Sequence, residues 1–195
     1  MRHLRMGTGA FIGTLAILGG AASLAFAPKL DSGVAKGETL SAFQPHHVTG
    51  ADRNSDTCPV CSYPNNPAVQ VWVNGDDAKN VRALVHNLET ETTANRAKKF
   101  KAFVVFINPQ RESASAMTAQ LAKIGADEKI KNVALAYLPG PDAPAIADYK
   151  INTSSEVKNT VFVYRARKVA AKFVNFTADA PHLKALDAAI AEVSK

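Results

Sequence analysis

Cysteine is scarce in this chain, two in 195 residues, at Cys58 and Cys61. With a second cysteine or histidine pair at fixed spacing absent, a zinc-finger framework is excluded. Ser62 stands where covalent haem attachment through C-x-x-C-H would need a histidine. There is no G-x-S-x-G, no phosphate-binding glycine loop and no internal repeat, so the usual signatures of serine hydrolases, nucleotide-binding loops and solenoids are missing. Aromatic residues suited to base stacking are not interleaved with the basic runs Arg96, Lys98, Lys99, Lys101 and Arg165, Arg167, Lys168. These runs read as a solvated helix end and a hairpin turn, and no nucleic-acid partner is expected. The carboxylate pairs Asp76-Asp77 and Glu89-Glu91 read as a helix start and a solvated helix face.

What is present is the composition of one globular domain, 47% hydrophobic and 21% charged, with no linker to divide it. Arg2 and Arg5 precede an uncharged stretch, Met6 to Ala27, that closes on Ala25-Phe26-Ala27. This pattern is that of a secretory signal. Gly7, Gly9, Gly13, Gly19 and Gly20 dilute the hydrophobicity of a permanent anchor, so cleavage is the first reading and an uncleaved membrane anchor the second. Cleavage would remove two of the 23 basic residues and leave 21 against 17 acidic, a formal charge of +4. In an oxidising compartment the two cysteines are expected to be bonded to each other. A ring of about four residues contributes only about 2 kcal/mol in the chain-entropy model. So small a contribution fits a redox or metal device better than a scaffold, with local pinning of a turn as the alternative.

Residues 28–67 read as an N-terminal extension with short apolar runs leading to the cysteines, and Ser62 to Pro67, with two prolines and two asparagines, places them on a loop. Regular structure begins with the strand Ala68 to Val73. A helix follows, started by Asp76 or Asp77, carrying Val81, Leu84, Val85 and Leu88, and ending near Lys98. Ala102 to Ile107 is a continuous apolar strand suited to a covered parallel sheet. Ser113 or Ser115 starts a helix with Met117, Leu121 and Ile124 that Gly125 should close. Next come a strand from Val133 to Leu138, a short helix from Ala143 to Tyr149, and a hairpin of Thr160 to Tyr164 and Val169 to Phe176. A terminal helix capped by Asp179 carries Leu183, Leu186, Ile190 and Val193.

This order resembles the thioredoxin-like superfamily, and its redoxin and peroxiredoxin branch more than thioredoxin itself. The resemblance covers about Thr39 to the end and rests on Val69-Gln70-Val71-Trp72-Val73, Phe103-Val104-Val105-Phe106-Ile107, Ala147-Asp148-Tyr149-Lys150-Ile151, and Phe162-Val163-Tyr164 followed by Lys168-Val169. Cys58-Pro59-Val60-Cys61-Ser62-Tyr63 is similar to a C-x-V-C-x-Y segment ahead of the first strand in exported redoxin-like chains. The resemblance implies an α/β, three-layer fold with a central mixed sheet and helices on both faces, over residues 68–195. It also implies a reactive cysteine where the long helix opens, near Asn74-Gly75-Asp76, and a cis-proline before the hairpin, where this chain reads Lys158-Asn159-Thr160. Both are missing, so a typical peroxiredoxin activity is not expected.

The catalytic candidates are therefore Cys58 and Cys61, acting in thiol-disulfide exchange or electron transfer with a protein thiol or disulfide partner, either sulfur attacking and the other resolving. No cofactor is called for. The first alternative is copper or zinc held by Cys58, Cys61 and a histidine. Adjacent strand residues face opposite ways, so at most one of His46 and His47 could face the sulfurs, the fourth position falling to solvent, His86, His182 or a partner's ligand, although His86 and His182 read first as surface or satisfied polar side chains. The second alternative is a non-catalytic redoxin-like binding module with a structural disulfide. Replacing His47 should matter for the metal reading and little for the others.

Overall fold

Valine-rich runs too short for helices alternate with longer segments of helical period, and the protein folds accordingly. The computed structural model describes Met1 and residues 30–195; the segment read as a signal or anchor, residues 1–27, lies outside these save for Met1. In chain order the elements are β1 (His46–His47), α1 (Pro59–Ser62), β2 (Pro67–Val73), α2 (Ala78–Ala94), β3 (Lys101–Ile107), α3 (Ala114–Asp127), β4 (Ala134–Leu138), α4 (Pro144–Asp148), β5 (Asn159–Arg165), β6 (Lys168–Val174) and α5 (Ala180–Val193). No helix among the described residues is long and apolar enough to cross a membrane.

The six strands form one sheet in the order β1-β4-β3-β2-β5-β6. Strands β2, β3 and β4 are parallel, and β1, β5 and β6 join antiparallel to their neighbours. β2, at the centre, is buried along its whole length. Val69, Val71 and Val73 face one core, with Val81, Leu84, Val85 and Leu88 of α2, Met117 and Leu121 of α3, and Leu186 and Ile190 of α5. Ala68 and Trp72 face a second core, with Ile146 and Tyr149 from α4 and its end. The mixed sheet thus carries helices on both faces, as the sequence led us to expect.

The second core is closed by the extension. Val34, Leu40, Phe43, Cys58 and Val60 are buried in it, Phe43 packing on Trp72 and Tyr149 at ring distances of 5.2 Å. Burying an apolar side chain of this size contributes about 1.5–3 kcal/mol. Gly33 permits the closure, because its φ is +84° and a Cβ there would lie 2.4 Å from the Phe162 ring. At the other sheet edge Arg167, in the β5–β6 turn, donates from Nε and a terminal nitrogen to the Leu40 carbonyl at 3.1 and 2.9 Å.

Two local expectations are corrected. Gly125 does not close α3, which runs on to Asp127; it sits inside the helix where a Cβ would come within 2.8 Å of Thr49 Cγ2. Its smallness admits the extension, not a helix stop. The long helix α2 ends at Ala94, earlier than Lys98, and a separate 3-10 turn, Arg96–Lys98, carries the basic run. Elsewhere the capping chemistry is as read: Asp77 Oδ1 accepts from Lys79 and Asn80 amides, Ser113 Oγ from Ala116, and Asp179 Oδ1 from His182.

Candidate active site at the Cys58–Cys61 turn

Proline is tolerated in the first turn of a helix because its missing N–H would have no helical partner there. Pro59 uses that allowance. The cysteines do not lie on an irregular loop: Cys58 caps the single turn α1 and Cys61 lies within it. The Ser62–Pro67 segment does break the chain, but one turn later than the sequence led us to expect. Cys58 and Cys61 are joined in a disulfide with Cα atoms 5.3 Å apart. The two sulfurs are not equivalent. Cys58 is buried, only 8% exposed, whereas Cys61 is exposed. Cys58 Sγ accepts the Cys61 backbone N–H at 3.2 Å.

The turn is held from three sides. Val60 is fully buried in the second core. Tyr63 packs on Phe103 at 5.9 Å and its hydroxyl donates to Asp52 at 3.0 Å. Burial, with Asp52 adding to it, pushes the Tyr63 phenol up to about 12, so it stays neutral at ordinary pH. His47, fully buried on β1, lies 2.8 Å through Nε2 from the carbonyl of Thr57, the residue before Cys58. A carbonyl only accepts, so Nε2 carries the proton and Nδ1 is left without a partner.

That contact bears on the metal alternative. His47 spends its Nε2 on the backbone, and the described residues contain no group of three or more His, Cys, Asp or Glu side chains placed to hold a metal ion. His46 turns away to Asp56, 2.8 Å from Nδ1. His86 is exposed on α2, and His182 is bound to Asp179 at the start of α5. The structure brings none of these histidines together with the cysteines as a ligand set. His47 holds the residue before Cys58, a structural role that does not depend on a metal.

The position near Asn74-Gly75-Asp76 is occupied by other chemistry. Asp76 accepts from Asn80 and Asn159 side chains at 2.8 and 2.6 Å, and Asp77 caps α2. A cavity of about 280 Å³ opens here at the carboxyl ends of β2 and β3, between the starts of α2 and α3, with no cysteine in its wall. No cis peptide occurs among the described residues, and β5 starts at Asn159 without a proline. The cysteine turn sits at the other end of the sheet, beside Pro67 and Lys101, where the parallel strands begin.

No protein-family model matches the chain, and no curated protein matches it in sequence. Solved structures match it in shape. One assigned as the thiol:disulfide interchange protein DsbE from Chlorobium tepidum superposes with a TM-score of 0.63 at 15% identity, over 83% of this chain and 99% of its own. The peroxidoxin BcpB from Mycobacterium tuberculosis gives 0.62 at 14% identity, over 80% and 96%. A thiol:disulfide interchange protein from Bacteroides sp. gives 0.54 at 14%, over 78% and 88%. The chain therefore has the thioredoxin-like fold, with its cysteine pair at the opposite end of the sheet from the opening of the long helix.

Proposed function

We propose that the protein exchanges thiols and disulfides with a protein partner, and that Cys61 is the sulfur the partner meets. The observation that carries this is the asymmetry of the bridge, an exposed Cys61 bonded to a buried Cys58 whose sulfur already accepts a backbone N–H. Attack on a disulfide requires approach to one sulfur with the other leaving. A partner thiolate attacks Cys61 Sγ, the Cys58–Cys61 bond breaks, and the electron pair leaves on Cys58. The Cys61 N–H stabilises that thiolate, offsetting the penalty of its burial. A second partner thiolate then attacks the partner sulfur of the mixed disulfide, releasing Cys61 as a thiolate. The partner has lost two electrons and this chain has gained them; the reverse sequence reduces a partner disulfide.

Solved thiol:disulfide interchange proteins of the same fold support the reading, although their cysteines are not carried over to this chain. Export belongs to the same proposal and is supported by Arg2, Arg5 and the uncharged stretch Met6 to Ala27. Mass determination of the amino terminus after secretion tests it, with a cut after Ala25 or Ala27 expected and an intact Met1 in the exported fraction pointing to an anchor.

The exchange reading is tested by equilibrating the metal-free protein with glutathione buffers and trapping its thiols. A potential in the range of roughly −120 to −270 mV is expected, and one below about −300 mV would make the bridge structural and overturn the reading. Cys58→Ser should accumulate a mixed disulfide with a model peptide disulfide, its Cys61 thiolate displacing one peptide thiolate and no second cysteine being left to resolve the product. Accumulation by Cys61→Ser instead would reverse the assigned roles.

A further inference from the structure

Beside the cysteine turn lies a second cavity, of about 520 Å³, whose wall includes Tyr63 and Asn66 from the segment just after Cys61. Its other side is cationic. Arg96 and Lys99 come from the α2–β3 connection, Lys101 from the start of β3, and Lys131 from the loop before β4. No carboxylate lines it. None of the four cations forms an ion pair among the described residues, whereas Lys98, in the same basic run, turns away to the Ser194 carbonyl at the end of α5, 2.8 Å. The neighbouring carboxylates are already engaged: Asp52 accepts from Tyr63, and Glu89 from the Asn132 and Val133 amides.

The wall is built, not accidental. Asn66 Nδ2 donates to the Lys99 carbonyl at 2.6 Å, tying the cysteine segment to the basic connection. Lys99 itself holds a left-handed backbone, φ +58°, a conformation for which glycine is the easier residue. Lys101 Nζ lies 4.4 Å above the Tyr63 ring, and this phenol is neutral at ordinary pH, so it cancels none of the charge.

We infer that this groove docks an acidic segment of the redox partner and so delivers the adjoining partner cysteine to Cys61. The inference rests on the exchange reading and adds to it the chemistry of the partner. Four unpaired cations around one cavity raise the local concentration of an anionic peptide and its rate of encounter. A nucleic acid would meet the same charge, but of the two aromatic side chains in the wall Phe100 is buried and Tyr63 is engaged by Lys101 and Phe103, a poor platform for base stacking.

The test compares two synthetic peptides, each with one cysteine, flanked by glutamates in one and by lysines in the other. The rate of mixed-disulfide formation with the oxidised full-length protein is followed by thiol trapping. Each rate is normalised to the same peptide's rate on hydroxyethyl disulfide, which removes differences in thiol reactivity. At low salt the acidic peptide should react at least about ten-fold faster, and the difference should collapse in 1 M salt, where the Debye length is about 3 Å. The variant Arg96→Gln, Lys99→Gly, Lys131→Gln should lose most of the preference while reacting with β-mercaptoethanol as the parent does. Equal normalised rates, or a preference that survives in the variant, would overturn the inference.

If β-mercaptoethanol fails to open the bridge, the exchange reading itself has failed. The groove is then read separately by fluorescence anisotropy with a labelled serine-for-cysteine version of the acidic peptide. Binding that the triple variant abolishes supports the groove; no binding overturns it. Displacement of that peptide by an equimolar single-stranded oligonucleotide would assign the surface to nucleic acid and overturn it as well.

Discussion

His47 illustrates how one buried polar side chain can position a reactive group without touching it. Its Nε2 donates to the carbonyl of Thr57, and the peptide unit so held leads directly into Cys58. Changing His47→Ala would strand that carbonyl and open a cavity behind β1. The expected loss is about 2–4 kcal/mol in urea unfolding, accompanied by a shifted Cys58/Cys61 potential. Unchanged stability and potential would mean that the histidine neither packs nor positions. The sequence showed His46 and His47 as an adjacent pair facing opposite ways, which is how they stand, one on Asp56 and one inward. What it could not show was which atom His47 would meet, because the Thr57 carbonyl is a backbone group and leaves no mark in a pattern of side chains.

At the scale of elements, helices and strands with their own periodicity were legible and the pieces without one were not. Val81, Leu84, Val85 and Leu88 announce α2 through helical spacing, and the valines of β2 announce a strand. The one-turn helix α1 has no room for a period, and its proline looks like a breaker until it is seen at the first helical position. Gly125 looks like a stop because a helix interior normally avoids glycine, and only the approach of Thr49 from the extension explains it. The cationic groove was illegible for a related reason. Lys131 is far in sequence from Arg96 and Lys99, and the fold alone makes them neighbours.

The packing of α2 against α5 also sets a pH dependence. Asn87 on α2 donates to Asp187 on α5 at 2.9 Å, and Glu91 lies one turn further along α2. Partial burial, and then the charge of Asp187, raise the Glu91 carboxyl above its ordinary value of 4.5. The folded state thus holds that proton more tightly than the unfolded chain, so the associated stability is full below the ordinary value and is lost as pH rises through the raised one. Glu91→Gln mimics the neutral acid and keeps the amide-compatible contact with Asn95. Its Tm should rise slightly at pH 7 and match the parent below pH 4.5. A lower Tm at pH 7 would show that the charge is favourable where it stands.

For the whole molecule, the sheet has one face covered by α2, α3 and α5, and the other by α4 together with a segment that precedes the first long strand. The extension is therefore half of the enclosure of the second core. A chain shortened to residues 67–195 would expose Trp72, Tyr149 and Phe162, all fully buried in the intact protein. It is expected to lose cooperative thermal unfolding and to bind a hydrophobic dye. Retention of a sharp transition would show that the sheet and the three helices suffice. The overall architecture was legible because its order of strands and helices is a pattern of apolar residues. That the extension is a wall of the core was not, because Val34, Leu40 and Phe43 are too widely spaced to form a stripe of their own.

Cys58 belongs to a core several of whose members, Ile146, Tyr149, Phe162, Tyr164 and Val169 among them, come more than 80 residues later in the chain. A ribosome makes the protein from its amino end, at roughly 5–20 residues per second, so for something on the order of ten seconds both sulfurs exist before the residues that complete this core have been synthesised. Bond formation between residues three apart needs no finished fold. The disulfide can form in the unfinished fold wherever an oxidant meets both thiols, and completion of the second core then gives the bridge a buried end and an exposed end.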